Sequence, residues 1–478
     1  MARLVPDASF RRFEEGRAIL GGSPLTVLRL SEKGAEVVDR LLGGEDVDLL
    51  APPKTGEAKL LRRFLDAGIF HPVSETSPYT TDDVTIVIPV KGEIETGLLD
   101  GLGHAQRIIV VDDGSDLPLQ VPEKNRYGVP IECVRHEKNE GPAAARMTGL
   151  RLVKTPLVAF VDSDCLAKPG WLEPLLTNFC DHQVGIVAPR IVMNEPLGQA
   201  RFSRLMRYER KRAALDQGPI AGRVRARSRI AFVPSATLVC RTSFLHQLGG
   251  FDESMPVGED VDLVWRFDEN DVLVRYDPSV TIGHRHRTTP LSWLRRRFDY
   301  GTSAGPLAKR HKGALVPVEA SGLSLATWGS LAAGFPLGSA ALVGITIGVL
   351  EKRVKSLPIA VELSLKGHLS AGRLIAASLV RPWWPITALA LAFLPFRKLR
   401  RALLLGALAL PVWEWFRTKP DVDLPSWIVL RLCDDMAYGL GVWVGSLRSG
   451  TIEPLLPDVT TWPNPSKYSR WRQQQRQS

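Results

Sequence analysis

Residues 157–165, LVAFVDSDC, are a short apolar run that stops abruptly at two aspartates, Asp162 and Asp164. A brief run rich in β-branched and aromatic residues, bounded by polar ones, reads as a buried strand. The aspartates stand at its C-terminal end, where open α/β sheets place their ligands. Side chains two apart on an extended chain point the same way, so both carboxylates could face one hard cation and the phosphates it carries. The plain alternative is a strand followed by an Asp-rich turn.

The neighbouring segments repeat the pattern. VTIVIPVKGE (84–93) and RIIVVDDGSD (107–116) are nearly uninterrupted apolar runs, as expected of parallel strands buried on both faces. The second ends in Asp112, Asp113 and Gly114. IECVRH (131–136) follows as a strand, and NEGPAAARMTGLRLV (139–153) as a Gly/Pro entry into a helix. Strands alternating with helices imply an α/β fold with one parallel sheet, whose C-terminal edge gathers the carboxylates. VKGEIETG after the first strand lacks G-x-G-x-x-G, and no Walker A sequence occurs. A dinucleotide-binding Rossmann domain and a P-loop are therefore excluded.

Beyond residue 165, GIVAPRIV (185–192) and TLVCR (237–241) read as strands. Residues 200–230 are strongly basic and suit a solvated helix and loop, or a flap over an anionic ligand. A helix is expected from Glu259, with Asp260 and Asp262 in its first turn, where acids also serve as caps. VLVRYDPSVTIGHRHR (272–287) is a strand carrying His284 and His286 on one face.

The flanks differ. Residues 1–80 read as a small separate unit, strand–helix–helix–strand, with Ser31 as an N-cap: a winged-helix-like α+β module. Residues 82–315 hold the α/β pattern, 316–450 form a hydrophobic helical region, and 451–478 a basic disordered tail. Ala320–Leu350 has no charged residue or histidine and is long enough to span a bilayer. Pro382–Phe396 and Ala402–Trp413 suit interfacial segments, with tryptophans in PWWP and VWEWF near the basic RKLRR. The expectation is a chain at the cytoplasmic side of the cell membrane, against the alternative of a soluble helical domain with a greasy core.

The chain has 478 residues, 45% hydrophobic and 23% charged, with a net charge of +10. That balance suggests anionic partners: phosphates, nucleic acid or a membrane surface. No nucleic-acid-binding signature is present, so nucleic acid is not expected. Five widely spaced cysteines without C-x-x-C fit a reducing compartment rather than disulfides or zinc.

With a nucleotide diphosphate-sugar as ligand, these residues have chemical roles. Loss of the charged diphosphate needs a divalent cation; Asp162 and Asp164 offer hard oxygens, and His284 or His286 completes a shell suited to Mn2+ or Mg2+. A uracil N–H needs an acceptor, which Asp112 or Asp113 provides. Arg146 sits on a helix that could reach the diphosphate. The acceptor hydroxyl needs a carboxylate base, for which Asp260 is the candidate. One base without a protein nucleophile implies inversion at the anomeric carbon.

VTIVIPVKGE, VVDDGSD, NEGPAAARMTG, AFVDSDC and GGFDESMPVGEDVDLVWR together resemble, in order and spacing, the family 2 glycosyltransferases with the GT-A fold. The resemblance covers residues 82–300. It implies a Rossmann-like, mostly parallel sheet, nucleoside contacts at Asp112 and Asp113, a metal diphosphate at Asp162 and Asp164, and Asp260 as base. Met147 and Lys91 depart from the commonest form, where Asn and Tyr are frequent. LSEKGAEVVDRLLGG and LLRRFLDAGIFHPV resemble PqqD-like peptide-recognition domains. Their fusion to a hydrophobic C-terminal third is similar to the mycofactocin-system glycosyltransferases of actinobacteria. That similarity implies UDP-glucose as donor, the peptide-derived precursor pre-mycofactocin as acceptor, and a β-1,4-glucose chain as product. A membrane glycosyltransferase making a cell-wall glycan or glycolipid, and a non-catalytic nucleotide-sugar-binding scaffold, are the alternatives.

Overall fold

A computed structural model describes residues 1–50, 54–194, 203–285, 289–460 and 473. The chain divides into two compact units: Met1–Gly198 with Ala213–His286, and Gln199–Arg212 with Arg287–Ser478.

The first unit is built on one curled, mixed sheet. Its strands are β1 (Val84–Val90), β2 (Arg107–Asp112), β3 (Ile131–Arg135), β4 (Leu157–Val161), β5 (Cys165–Leu166), β6 (Val184–Met193), β7 (Thr237–Arg241) and β8 (Leu273–His284), with the two-residue strand Gly222–Arg223 paired to the side of β8. They lie in the order β5-β8-β6-β7-β4-β1-β2-β3. The four strands β4-β1-β2-β3 are parallel, in the order the alternating sequence implies. Beyond β4 the sheet turns mixed: β7 runs antiparallel to β4 and β6, while β6 and β8 run parallel. Every residue of β1 and β4 is buried, which explains why neither shows the alternation of a one-faced strand. At roughly 1.5–3 kcal/mol for each fully buried aliphatic side chain, this layer supplies a large share of the apolar stabilisation.

Two helices carry candidate site residues: α1 (Pro142–Leu152), entered through Gly141 and Pro142, and α2 (Glu259–Glu269), entered through Gly258 at φ 87°. Pro at the first turn fits because its missing N–H would have no intrahelical partner.

Residues 1–80 belong to this same unit. The helices Glu32–Leu42 and Gly56–Asp66 appear as expected, and Ser31 accepts the Gly34 N–H at 3.2 Å. Before them lies a meander, Arg11–Phe13, Ala18–Gly21 and Thr26–Arg29; Ala2–Pro6 pairs with Asp46–Val47 and Phe70–Val73. Part of the basic 200–230 run is a clasp for this module rather than a solvated face. Arg229 pairs with the buried Asp7 at 2.9 Å, and Arg223 with Asp268 at 2.7 Å and the Asp66 carbonyl at 2.6 Å. Arg62 joins them, pairing with the buried Asp181 at 2.9 Å.

The second unit is helical. Ala320–Leu350 is not one span: it forms α3 (Gly322–Ala332) and α4 (Pro336–Val354), broken at Gly334 with φ 90° and restarted by Pro336. The helices α5 (Leu357–Val380), α6 (Trp384–Phe393), α7 (Arg397–Thr418) and α8 (Leu424–Ser449) follow. Among the described residues no single helix is long and apolar enough to cross a membrane; α5 and α6 together are, but they meet at an 80° bend. Asp458–Thr460, expected in a disordered tail, pairs in parallel with Glu319–Ser321. Residues 461–472 and 474–478 of that tail lie outside the described residues.

Gly114, which follows the two aspartates of β2, has φ 64°, and a Cβ there would lie 2.4 Å from the Lys138 carbonyl carbon. Gly114→Ala is expected to destabilise the first unit by roughly 3 kcal/mol, from left-handed strain plus a backbone clash. Urea unfolding measures it; an unchanged midpoint would show that the 138–139 backbone yields freely.

Candidate active site

The sheet brings Asp162 and Asp164, at the exit of β4, against the end of β8. β5 pairs Cys165 with His284, so the imidazole arrives beside the D-x-D turn. His284 Nε2 lies 3.2 Å from Asp164 Oδ1, and the Arg285 N–H donates to the Asp164 carbonyl at 3.0 Å. One ligand atom each from Asp162, Asp164 and His284 lies within 4.8 Å of the others. Two hard carboxylate oxygens with one imidazole nitrogen suit Mn2+ or Mg2+. Of the two histidines, His284 is thus placed at the cluster; His286 lies outside the described residues.

Arg146 of α1 does not point at open space. Its guanidinium is buried, donating to Asp162 Oδ1 at 2.6 Å and to Glu259 Oε1 at 3.0 Å. The Phe251 ring lies beneath it, 5.3 Å away. Burial disfavours the charged guanidinium, but Asp162, Glu259 and Asp260 outweigh it and hold the arginine charged. Glu259, readable in sequence only as a helix-cap acid, is thus half of a bridge from the metal-type cluster to the start of α2.

Asp260 follows Glu259. It accepts the Ser235 N–H at 3.2 Å and its neighbour Val261 N–H at 2.8 Å. Its carboxyl is pushed up to about 7, first by withdrawal from water and then by the Glu259 charge, against the pull of those hydrogen bonds and Arg146. A carboxyl titrating near neutrality matches the task of a general base.

Asp112 and Asp113 take another part. Asp112 accepts the Ser115 and Leu119 N–H groups at 2.9 and 3.2 Å and pairs with Arg135. Burial raises its pKa, but these partners outweigh that and hold it below the usual carboxylate range. Asp113 accepts the Glu140 and Gly141 N–H groups at 2.8 and 2.9 Å and faces His136 Nδ1 at 2.9 Å. Both are buried and already used by the protein, tying the turn after β2 to the entry of α1.

Sequence reasoning also missed Glu95. Its N–H donates to the Ser163 carbonyl at 2.7 Å, and its carboxylate pairs with Arg285. It braces the D-x-D turn from the loop after β1. The only sequence signal was an acid two residues after Glu93 in VKGEIE. Arg266 of α2 braces the opposite side, holding Asp262 at 2.7 Å and the Leu248 and Gly250 carbonyls at 2.5 and 2.6 Å.

Residues 85–232 match the sequence profile of Glycosyl transferase family 2. The pre-mycofactocin glycosyltransferase of Mycobacterium tuberculosis (strain H37Rv) is 37% identical over 477 residues, 95% of this chain and 97% of its own. The chain belongs to glycosyltransferase family 2. Animal relatives of this family 2 glycosyltransferase match over less of their length. The probable N-acetylgalactosaminyltransferase 9 of Caenorhabditis elegans is 24% identical over 198 residues, 38% of this chain and 34% of that protein. Among solved structures, the mannosyltransferase PcManGT from Pyrobaculum calidifontis, in complex with GDP-Man and Mn2+, covers 78% of this chain and 91% of its own at 16% identity. Its TM-score is 0.41, too loose an overlap to place any residue.

With Asp260 as the base, kcat/KM should rise with pH through about 7 and level off above it, because only the carboxylate accepts a proton. Glu259→Gln removes the second cause of the upward shift and should move that limb to lower pH. A limb fixed near 7 in the variant would assign it to another group. Arg146→Met leaves Asp162 and Glu259 without their shared cation and should cost on the order of 3 kcal/mol, measured by thermal unfolding. An unchanged melting temperature would remove Arg146 as a structural bridge.

Proposed function

We propose that this glycosyltransferase moves glucose from UDP-glucose to pre-mycofactocin with inversion, in the presence of Mn2+ or Mg2+, and extends a β-1,4-linked glucose chain. The observation that carries the acceptor is the full-length match to the M. tuberculosis protein of that name, which spans both units rather than the catalytic profile alone. The residue arrangement supports the reaction type.

Asp162, Asp164 and His284 would hold the cation. When bound, it supplies positive charge to the departing diphosphate. Arg146 keeps Asp162 oriented and its charge compensated, so the D-x-D turn is set before the donor arrives. Asp112 and Asp113 act at the nucleoside end by holding the turn after β2 against the entry of α1. Asp260 takes the proton from the attacking hydroxyl. The oxygen bonds to the anomeric carbon as the sugar–phosphate bond breaks, and the electron pair leaves with UDP. A single displacement turns the α-linked donor into a β-linked product.

A cell-wall glycan or glycolipid acceptor is the second reading, favoured by the apolar side chains that the second unit exposes. UDP release from UDP-glucose, measured with pre-mycofactocin, glycolipid and cell-wall acceptors in turn, separates the two. Turnover only with the lipid or wall acceptors would overturn the first reading, and no turnover with any would favour a scaffold.

Asp260→Asn should lower transfer by about 10³-fold or more while leaving metal-dependent UDP binding intact; retained transfer would refute the base assignment. Asp164→Ala and His284→Ala should each weaken Mn2+-dependent UDP binding, read by calorimetry with and without chelator. Unchanged binding in either variant would strike that residue from the ligand set.

A further inference from the structure

Helices α4 to α7 of the second unit turn large apolar side chains outward and several polar ones inward. In α4 the exposed positions Leu337, Ala340, Ala341, Gly344, Ile345 and Val349 recur at helical spacing and form one stripe without a polar side chain. Two polar residues of the same helix turn inward: Ser339 donates to the Thr327 carbonyl at 2.9 Å, and Thr346 meets His368 at 3.2 Å. α6 repeats the pattern, with Ile386 at 56%, Leu389 at 60% and Phe393 at 80% exposure, and Thr387 buried. In α7, Leu405 and Phe416 face out at 70% and 63%, while Glu414 turns in to Arg431 at 2.9 Å. α5 buries Ser364, His368 and Ser378 and exposes Leu365 and Leu369. A helix in water places these classes the other way round.

The exposed apolar faces carry a basic border. Between Ala320 and Lys419 there are twelve Lys and Arg against three Glu, and one of those acids, Glu414, is turned inward. Lys352, Arg353 and Lys355 close α4, and Arg397, Lys398 and Arg401 open α7 directly after the exposed Phe393 and Phe396. At the far end of α7 the Arg417 guanidinium stacks on the exposed Trp413 ring at 5.1 Å, an aromatic–cation pair suited to a headgroup layer. Among the described residues no single helix is long and apolar enough to cross a bilayer, and the α5–α6 pair is bent by 80°.

We propose that α4 to α7 form a membrane-docking face that lies in the plane of a leaflet, its apolar side chains among acyl chains and its basic border on anionic headgroups. The occupant is a lipid surface rather than a second copy of the chain: two like-charged basic borders would repel across a self-interface, whereas anionic lipid neutralises them. The docking does not depend on the transfer reaction or on the acceptor.

Flotation of the full chain with vesicles tests it. Wild type should float with phosphatidylcholine vesicles containing phosphatidylglycerol and more weakly with phosphatidylcholine alone. Phe393→Asp with Phe396→Asp should weaken both by about tenfold or more. Lys398→Glu with Arg401→Glu should lose the preference for anionic vesicles while keeping the weak neutral binding. Circular dichroism and melting of each variant show that the helices persist, since all four side chains are exposed. Failure of the folded wild type to float with either vesicle would overturn the proposal. So would concentration-dependent self-association that Phe393→Asp with Phe396→Asp abolishes while vesicle binding persists. Release of the native protein from cell membranes by alkaline carbonate is expected, and resistance to it would overturn the in-plane arrangement in favour of a spanning one.

Discussion

One buried guanidinium organises the catalytic edge. Arg146 reaches from α1 to Asp162 at the end of β4 and to Glu259 at the start of α2. Without it, Asp162, Glu259 and Asp260 would bring negative charges together at a partly dry sheet edge, where like charges repel most. With it, two of the three are paired. Phe251 under the guanidinium excludes water from one face and adds a cation–π contact. A buried ion pair is a poor source of net stability, because desolvation offsets most of its attraction. Its value here is positional: it sets the D-x-D turn and the base-bearing helix relative to each other. Asp260 is left as the acid whose proton affinity remains high.

That bridge explains a departure from the family pattern. Met147, which stands where Asn is frequent, is not turned to the ligand edge. Its sulfur accepts the Phe251 N–H at 3.3 Å, and a Cβ on Gly250 would lie 2.5 Å from it. A thioether fills irregular space and tolerates close backbone, so it can seat the Gly249–Gly250 turn that carries Phe251. Arg266 holds that turn from the other side through the Leu248 and Gly250 carbonyls. The cation–π floor under Arg146 is therefore built by the residue that comes next to Arg146 in the chain.

Much of this was legible from periodicity and residue type. β1, β2 and β4 announce themselves as apolar runs, and Asp162, Asp164, His284 and Asp260 stand out by their positions after strands or at a helix start. The Arg146–Glu259 pair was not legible, because its partners are 113 residues apart and each has an adequate local reading. The basic 200–230 run had the same difficulty. A solvated arginine and one paired with a buried aspartate have the same sequence, and only the packing of residues 1–80 on this unit separates them. The break in Ala320–Leu350 was written as Gly334-Phe335-Pro336, but hydropathy over a long window averages such a break away.

The acids at the sheet edge show why composition alone could not assign roles. Asp112 and Asp113 lie at the end of β2 as Asp162 and Asp164 lie at the end of β4, and position after a strand does not by itself tell the two pairs apart. The structure does. The β2 pair is buried, each aspartate accepting two backbone N–H groups that hold the turn. The Asp162 and Asp164 side chains keep 27% and 44% exposure, and one imidazole arrives beside them from β8. What a carboxylate can still bind depends on whether backbone donors or side chains already hold it, and that is set by the loop behind it. Ser115 and Gly141 supply backbone donors behind β2, whereas the β4 turn is braced through the Ser163 and Asp164 carbonyls, and its carboxylates meet side chains instead, Arg146 at Asp162 and His284 at Asp164.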